Sequence, residues 1–184
     1  MRVIGGKFRG NRIFAPKGQD TRPTTDRVRE NLFNILENRI SLNGIRVLDL
    51  FSGSGALGIE SMSRGAGFCL FVEQAGAAQA AVRQNIEQLQ LTALTGILRR
   101  DATRLGDIGT MQPFDLVFAD PPYNLGLGEQ AAKSLIQGGW LRGNAIFILE
   151  ERKSAMLGKL TGFSAIDMRT YGDTSIGLFE YRGL

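Results

Sequence analysis

The sequence predicts a doubly wound α/β domain built on a mainly parallel sheet. Three observations carry that prediction: short apolar runs alternate with helix-period segments from about residue 45 onward, a glycine-rich turn follows the first run, and an acid recurs where successive runs end. The runs at 45–51, 67–73, 94–100, 114–120 and 144–150 read as strands, and 57–64, 74–90 and 126–137 as helices. The linker 102–112 carries at most one helical turn. Residues 162–168 and 175–181, on either side of Tyr171-Gly172-Asp173, form a closing hairpin. In such a sheet ligands bind beyond the C-terminal ends of the strands.

A helix precedes the sheet. Thr24 or Thr25 caps it, and Asp26 and Glu30 favour the positive end of its dipole. Pro23 holds Arg22 extended, so the helix cannot begin earlier. Val28, Leu32, Ile35, Leu36 and Ile40 fall on one helical face. Before this helix, Val3, Ile4, Phe8, Ile13 and Phe14 interleave with charges, and Gly5-Gly6 and Gly10-Asn11 supply turns, which together describe a β-hairpin.

Charge is uneven along the chain. Residues 1–40 hold nine Lys/Arg and four acids, a net +5, whereas the other 144 residues hold thirteen basic and fourteen acidic groups, a net −1. A basic segment on a near-neutral body is the footprint of a polyanion-binding arm. Arg22, Arg27 and Arg29 add to it around the helix start.

Composition removes several function classes. No run of about 18 apolar residues exists, so nothing is expected to span a membrane. The opening Met1-Arg2-Val3-Ile4-Gly5-Gly6-Lys7 has no signal-peptide apolar block, and the lone Cys69 fits a reducing compartment, so a cytoplasmic location is expected. With no histidine and one cysteine, neither a zinc site nor a Ser-His-Asp triad is available, and no metal is expected. Cys69 lies in the apolar run 68–72 and reads as core, which argues against a thiolate nucleophile.

The first predicted strand runs through Asp49 and Phe51 into Ser52-Gly53-Ser54-Gly55-Ala56-Leu57-Gly58. Gly53, Gly55 and Gly58 satisfy G-x-G-x-x-G, and Glu73 ends the next strand about 20 residues on, the spacing of a dinucleotide fingerprint. A nicotinamide cofactor is therefore one reading. Against it, the Asp49 carboxylate just before the glycines opposes a pyrophosphate but suits a ligand carrying an ammonium and a sulfonium, such as S-adenosylmethionine. Asp101, followed by Ala102, puts a third acid at the third strand end. Three acids in that order serve an amino group, a ribose diol and an adenine amine.

Asp120-Pro121-Pro122-Tyr123 follows the apolar run 114–119, where a strand passes into a loop. The prolines hold the backbone extended and leave carbonyl oxygens free to accept. With a carboxylate before them and an aromatic ring after, the site accepts hydrogen bonds from an NH2 group while a flat ring stacks on Tyr123. A proline turn with a packed tyrosine is the plainer alternative.

On these motifs the chain resembles the class I S-adenosylmethionine-dependent methyltransferases, and Asp120–Tyr123 is similar to the (D/N)PP(Y/F) signature of their amino-methylating branch. The block Arg22-Pro23-Thr24-Thr25-Asp26-Arg27-Val28-Arg29-Glu30 with Leu32-Phe33-Asn34-Ile35-Leu36 behind it, and the opening Arg2-Val3-Ile4-Gly5-Gly6 with Gly10, resemble the RsmD family. That family methylates a guanine N2 in bacterial 16S ribosomal RNA. The resemblance covers essentially the whole chain.

It implies a Rossmann-like, seven-stranded sheet with its last strand antiparallel, a basic hairpin extension at 1–20 and a methyltransferase domain at 21–184. Carried over position by position, Asp49 lies near the methionine amino group, Ser52, Gly53 and Gly55 pass the methionine portion, and Glu73 binds the ribose. Asp101 and Ala102 meet the adenine, and Arg22, Pro23 and Thr24 also lie against the cofactor. Asp120 and the Pro121 carbonyl accept the two N–H bonds of the target amine, with Pro122 and Tyr123 completing the catalytic motif. Arg2, Lys7, Arg9, Arg12, Arg27 and Arg29 are the expected RNA contacts. The partner is 16S rRNA or the small ribosomal subunit, without a membrane, and the protein is expected to be a monomer. The alternatives are an adenine-N6 DNA or a protein-glutamine methyltransferase using the same four-residue motif.

Overall fold

A computed structural model describes residues 1–16, 26–122, 126–153 and 160–183. Of the expected site residues, Arg22, Pro23, Thr24 and Tyr123 lie outside them. The chain divides into two compact units, Met1–Arg99 and Arg100–Leu184.

The first unit holds α1 (Asp26–Glu37), β1 (Arg46–Leu50), α2 (Ala56–Ser63), β2 (Phe68–Val72), α3 (Gly76–Gln88) and β3 (Thr95–Leu98). β1 pairs with β2, and β2 with β3, all in parallel. Val47, Leu48 and Leu50 are fully buried, as strands covered on both faces must be, and Asp49 is the one acid in β1. The close approach of α2 to the sheet depends on glycine. A Cβ on Gly58 would run into the Phe71 ring and lie 2.6 Å from Cys69 Sγ, and one on Gly55 would lie 3.0 Å from Phe71.

The second unit holds β4 (Phe114–Ala119), α4 (Leu127–Gln137), β5 (Leu141–Arg152), β6 (Phe163–Tyr171) and β7 (Thr174–Tyr181). β4 and β5 are parallel, while β7 runs antiparallel to both β5 and β6. The seven strands form one sheet in the order β3-β2-β1-β4-β5-β7-β6. The expected class, a seven-stranded mainly parallel α/β sheet with an antiparallel last strand, is the one observed.

Two details differ from expectation. Of the expected face Val28, Leu32, Ile35, Leu36 and Ile40, only Leu32 and Leu36 are buried; Arg29 and Phe33 complete the buried face, spaced i, i+3, i+4, i+7. An arginine on the core side shifted the apparent stripe. β5 begins at Leu141, three residues before the predicted start, because Asn144 adopts a φ of 63° inside a bulge where pairing jumps from Phe114↔Leu141 to Leu116↔Ile146.

Candidate functional site

The strand–loop–helix turn is built by left-handed backbone. Gly53 and Gly55 have φ of 54° and 75°, and Phe51, which has no such freedom, is held at 54° between strand and loop. The loop closes on itself through the Gly55 N–H donating to the Ser52 carbonyl at 2.6 Å, and the Ser52 N–H joins it to β2 through the Val72 carbonyl at 3.2 Å. Of the three glycines, Gly55 and Gly58 pack the helix onto the strand. Only Gly53 faces open space, the nearest atom to a Cβ there being the Phe51 carbonyl oxygen at 3.9 Å.

Two carboxylates hold this turn. Asp49 Oδ2 accepts the Gly58 N–H at 2.9 Å, satisfying a donor in the first turn of α2. Its carboxyl is pushed up to about 7, by burial above all, against the lowering effect of the Gly58 bond and with help from the nearby Glu73 charge. Glu73 ends β2 and reaches back, its Oε2 accepting the Gly53 N–H at 3.0 Å and its Oε1 the Ala75 N–H at 2.9 Å. Cys69 is buried, and burial, followed by the Asp49 charge, pushes its thiol well above the ordinary range, consistent with a core residue.

These residues fit a cationic, diol-bearing cofactor. Ser52 Oγ is buried with no hydrogen-bond partner, Gly53 is open, and two acids stand at successive strand ends beside it. Among the described residues no group of three His, Cys, Asp or Glu side chains is placed to hold a metal ion.

In the second unit Asp101 caps a short 3₁₀ turn at Ala102–Arg104, its Oδ1 accepting the Thr103 N–H at 2.9 Å and the Thr103 hydroxyl at 2.7 Å. The hydroxyl bond first, then the amide bond, hold its carboxyl below the usual range. Ala102 is buried. Asp120 and Pro121 follow directly on β4. Asp120 is half-buried, Pro121 buried and Pro122 exposed, so the motif sits at a strand end.

The basic residues separate into two groups. Arg2, Lys7, Arg9, Arg12 and Arg27 are exposed, and Lys7 and Arg12 lie over the rings of Phe8 and Phe14 at 5.4 and 5.2 Å. Arg29 is a correction: at 1% exposure it cannot meet a polyanion, because it lies on the core face of α1. Its Nη2 donates to Asp26 Oδ1 and to the Arg2 carbonyl, both at 2.8 Å, tying α1 to the N-terminal segment.

That segment is not a loose arm. Among the described residues it forms one isolated antiparallel bridge, Arg2↔Arg12, and it docks on α2 and α3 through buried polar side chains that stand in no motif of the sequence. Glu60 accepts the Ile4 and Gly5 N–H groups, both at 2.8 Å, and Ser63 Oγ accepts the Phe8 N–H at 2.9 Å. Asn85 bonds to Phe14. A polar residue interrupting an apolar helix face was the available signal, and it does not say what the residue bonds to.

A parallel sheet whose first strand turns through a glycine loop, with acids at the ends of its first two strands, is the arrangement of the cofactor-binding half of a class I S-adenosylmethionine-dependent methyltransferase. The comparisons separate it from a dinucleotide-binding fold. The family model described as "Conserved hypothetical protein 95" matches residues 1–180, and the chain belongs to that family, the RsmD family of methyltransferases. The chain is 37% identical over 150 residues to "Ribosomal RNA small subunit methyltransferase D" of Escherichia coli, covering 82% of this chain and 74% of that one. The Haemophilus influenzae protein of the same name is 32% identical over 182 residues, covering 98% and 93%. The solved structure of Escherichia coli yhhF superposes with a TM-score of 0.86 at 31% identity, covering 100% of this chain and 99% of that one.

Proposed function

We propose that this methyltransferase acts in the cytoplasm, as a monomer, on the exocyclic N2 of a guanine in the 16S RNA of the small ribosomal subunit. Its relatives are named as small-subunit rRNA methyltransferases, which supports rRNA as the substrate class. The observation that carries the chemistry is the position of Asp120-Pro121-Pro122 directly after β4, two residues without an N–H donor behind a carboxylate.

S-adenosylmethionine, when bound, supplies an electrophilic methyl group. Asp49, Ser52, Gly53 and Glu73 of the first unit would hold it, and the family resemblance assigns Asp101 and Ala102 to its adenine. A guanine N2 is a poor nucleophile because its lone pair is delocalised into the ring. Asp120 and the Pro121 carbonyl accept its two N–H bonds, which fixes the nitrogen and frees the lone pair for attack. Asp120 then takes the surplus proton. Tyr123 stacks on the base, an interaction worth roughly 1–3 kcal/mol. Residues 1–20 act as the RNA-binding extension of the catalytic domain at 21–184.

The test is transfer of labelled methyl to small subunits from a strain lacking this gene, followed by nucleoside mass mapping. N2-methylguanosine with the wild type, and no product with an Asp120→Ala variant that still binds S-adenosylhomocysteine, is the expected result. Full activity of Asp120→Ala would sink the assigned role, and a methylated adenosine would replace the substrate.

A further inference from the structure

The glycine loop and the basic N-terminal segment share one buried side chain. Asn85, in the last turn of α3 and fully buried, donates from Nδ2 to the Ser54 carbonyl of the glycine loop at 2.9 Å and to the Phe14 carbonyl at 2.9 Å, and its Oδ1 accepts the Phe14 N–H at 2.8 Å. Both backbone groups of Phe14 and one carbonyl of the loop therefore hang on one amide, whose two donors and acceptor are all used. One turn further along, Gln88 Nε2 donates to the Arg12 carbonyl at 3.3 Å. At the start of the chain Met1 Sδ lies 3.9 Å from Ser54 Oγ. Arg12 and Arg2, two of the exposed cations, flank these contacts along the chain.

We propose that Asn85 is a positioning residue that couples RNA binding on the N-terminal segment to cofactor binding at the glycine loop. The argument is mechanical and thermodynamic. A backbone held at both its N–H and its C=O shifts only by breaking its bonds to a fully buried amide. A polyanion held by Arg2, Lys7, Arg9 and Arg12 therefore favours the Phe14 position that Asn85 holds, and with it the Ser54 carbonyl position of the loaded loop. Linkage makes the effect reciprocal: cofactor must tighten RNA by the same factor that RNA tightens cofactor. The proposal rests on the reading of the segment as an RNA contact and of the loop as a cofactor seat.

The experiment measures S-adenosylhomocysteine affinity by calorimetry on the full chain, alone and with saturating unmethylated small subunits. Two variants probe the link from opposite sides. Asn85→Leu removes the amide at similar volume, and Phe14→Pro removes one N–H, with the ring beneath Arg12, while leaving the helix core intact, so the second still reads the link if the first does not fold and Phe14→Leu controls for the lost ring. Wild type should bind the ligand about tenfold or more tightly with subunits present, within the span of about 5- to 150-fold usual for such coupling. In the variants each partner still binds alone and the ratio falls to about one. A purely structural role would lower the melting temperature and leave the ratio unchanged, which would overturn the proposal, as would a wild type whose ligand affinity ignores the subunits. A wild type that binds no S-adenosylhomocysteine at all would instead refute the cofactor assignment on which the coupling depends.

Discussion

The Glu73 carboxylate, at the end of β2, accepts the Gly53 N–H at 3.0 Å and so holds the one glycine of the loop that faces open space. Its other oxygen holds the Ala75 N–H ahead of α3. One acid thus shapes the loop from outside it, beyond the ribose contact proposed for it. Glu73→Gln turns an NH2 group toward an N–H donor and removes a charge-assisted bond. Losing such a bond costs about 1–3 kcal/mol, so S-adenosylhomocysteine affinity should fall roughly 10- to 100-fold with a lower melting temperature. Calorimetry and thermal unfolding check both, and a loss of affinity without loss of stability would confine Glu73 to ligand contact.

The contact proposed between Asp49 and a cationic cofactor makes binding sensitive to pH. The Asp49 carboxyl ordinarily ionises near 3.8 and in the fold near 7, chiefly through burial. Between those values the folded chain keeps a proton that the unfolded chain has lost, so this residue's contribution to stability falls as pH rises from about 4 to 7. A cationic ligand beside it favours the ionised form and must expel the proton below pH 7. Affinity should therefore rise with pH, approaching tenfold per unit below 7, and level off above it. Calorimetry from pH 5.5 to 7.5 measures the slope, and Asp49→Asn should flatten it.

The parts of the sequence that predicted well are those where local chemistry has one physical outcome. An apolar run such as 114–119 ending in two prolines must leave its strand there, and glycines between a strand and a helix must turn. The parts that failed depend on partners far away in sequence. Arg29 looks like a surface cation until the Arg2 carbonyl and Asp26 are seen around it. Glu60, Ser63 and Asn85 look like exposed polar positions of helices until the N-terminal backbone arrives 55 to 71 residues away in sequence. The motif order points Asp101 at an adenine, and the structure adds a cap on the Ala102–Arg104 turn that the same side chain serves.

Gly58 should tolerate no side chain. Its missing Cβ is where the Phe71 ring and Cys69 Sγ lie, and both are fully buried in β2. Neither can retreat without displacing the strand. Gly58→Ala should destabilise the fold by about 1–3 kcal/mol, whereas Gly76→Ala, with nothing within 4 Å of the new Cβ, should not. Denaturant unfolding of the two variants makes the comparison. If Gly58→Ala is neutral, the glycine serves the loop and not the packing of α2 on the sheet.

The exposed and the buried arginines should separate in a salt titration. Each cation that neutralises a phosphate of single-stranded RNA contributes about 0.7 to the slope of log affinity against log salt. Arg9 and Arg12 project from a segment fixed by Glu60, Ser63 and Asn85, so their removal takes charge away without loosening the scaffold. Arg9→Ala and Arg12→Ala should each weaken binding to small subunits, lower the slope by about that increment and leave the melting temperature in place. Arg29→Ala should do the reverse: its guanidinium bonds to Asp26 and to the Arg2 carbonyl hold α1 on the N-terminal segment, so stability falls. The slope stays near the wild-type value, because no phosphate reaches a side chain that is 1% exposed. Filter binding across salt concentrations, run beside thermal unfolding, distinguishes the two groups. A reduced slope for Arg29→Ala at unchanged stability would return that residue to the RNA surface.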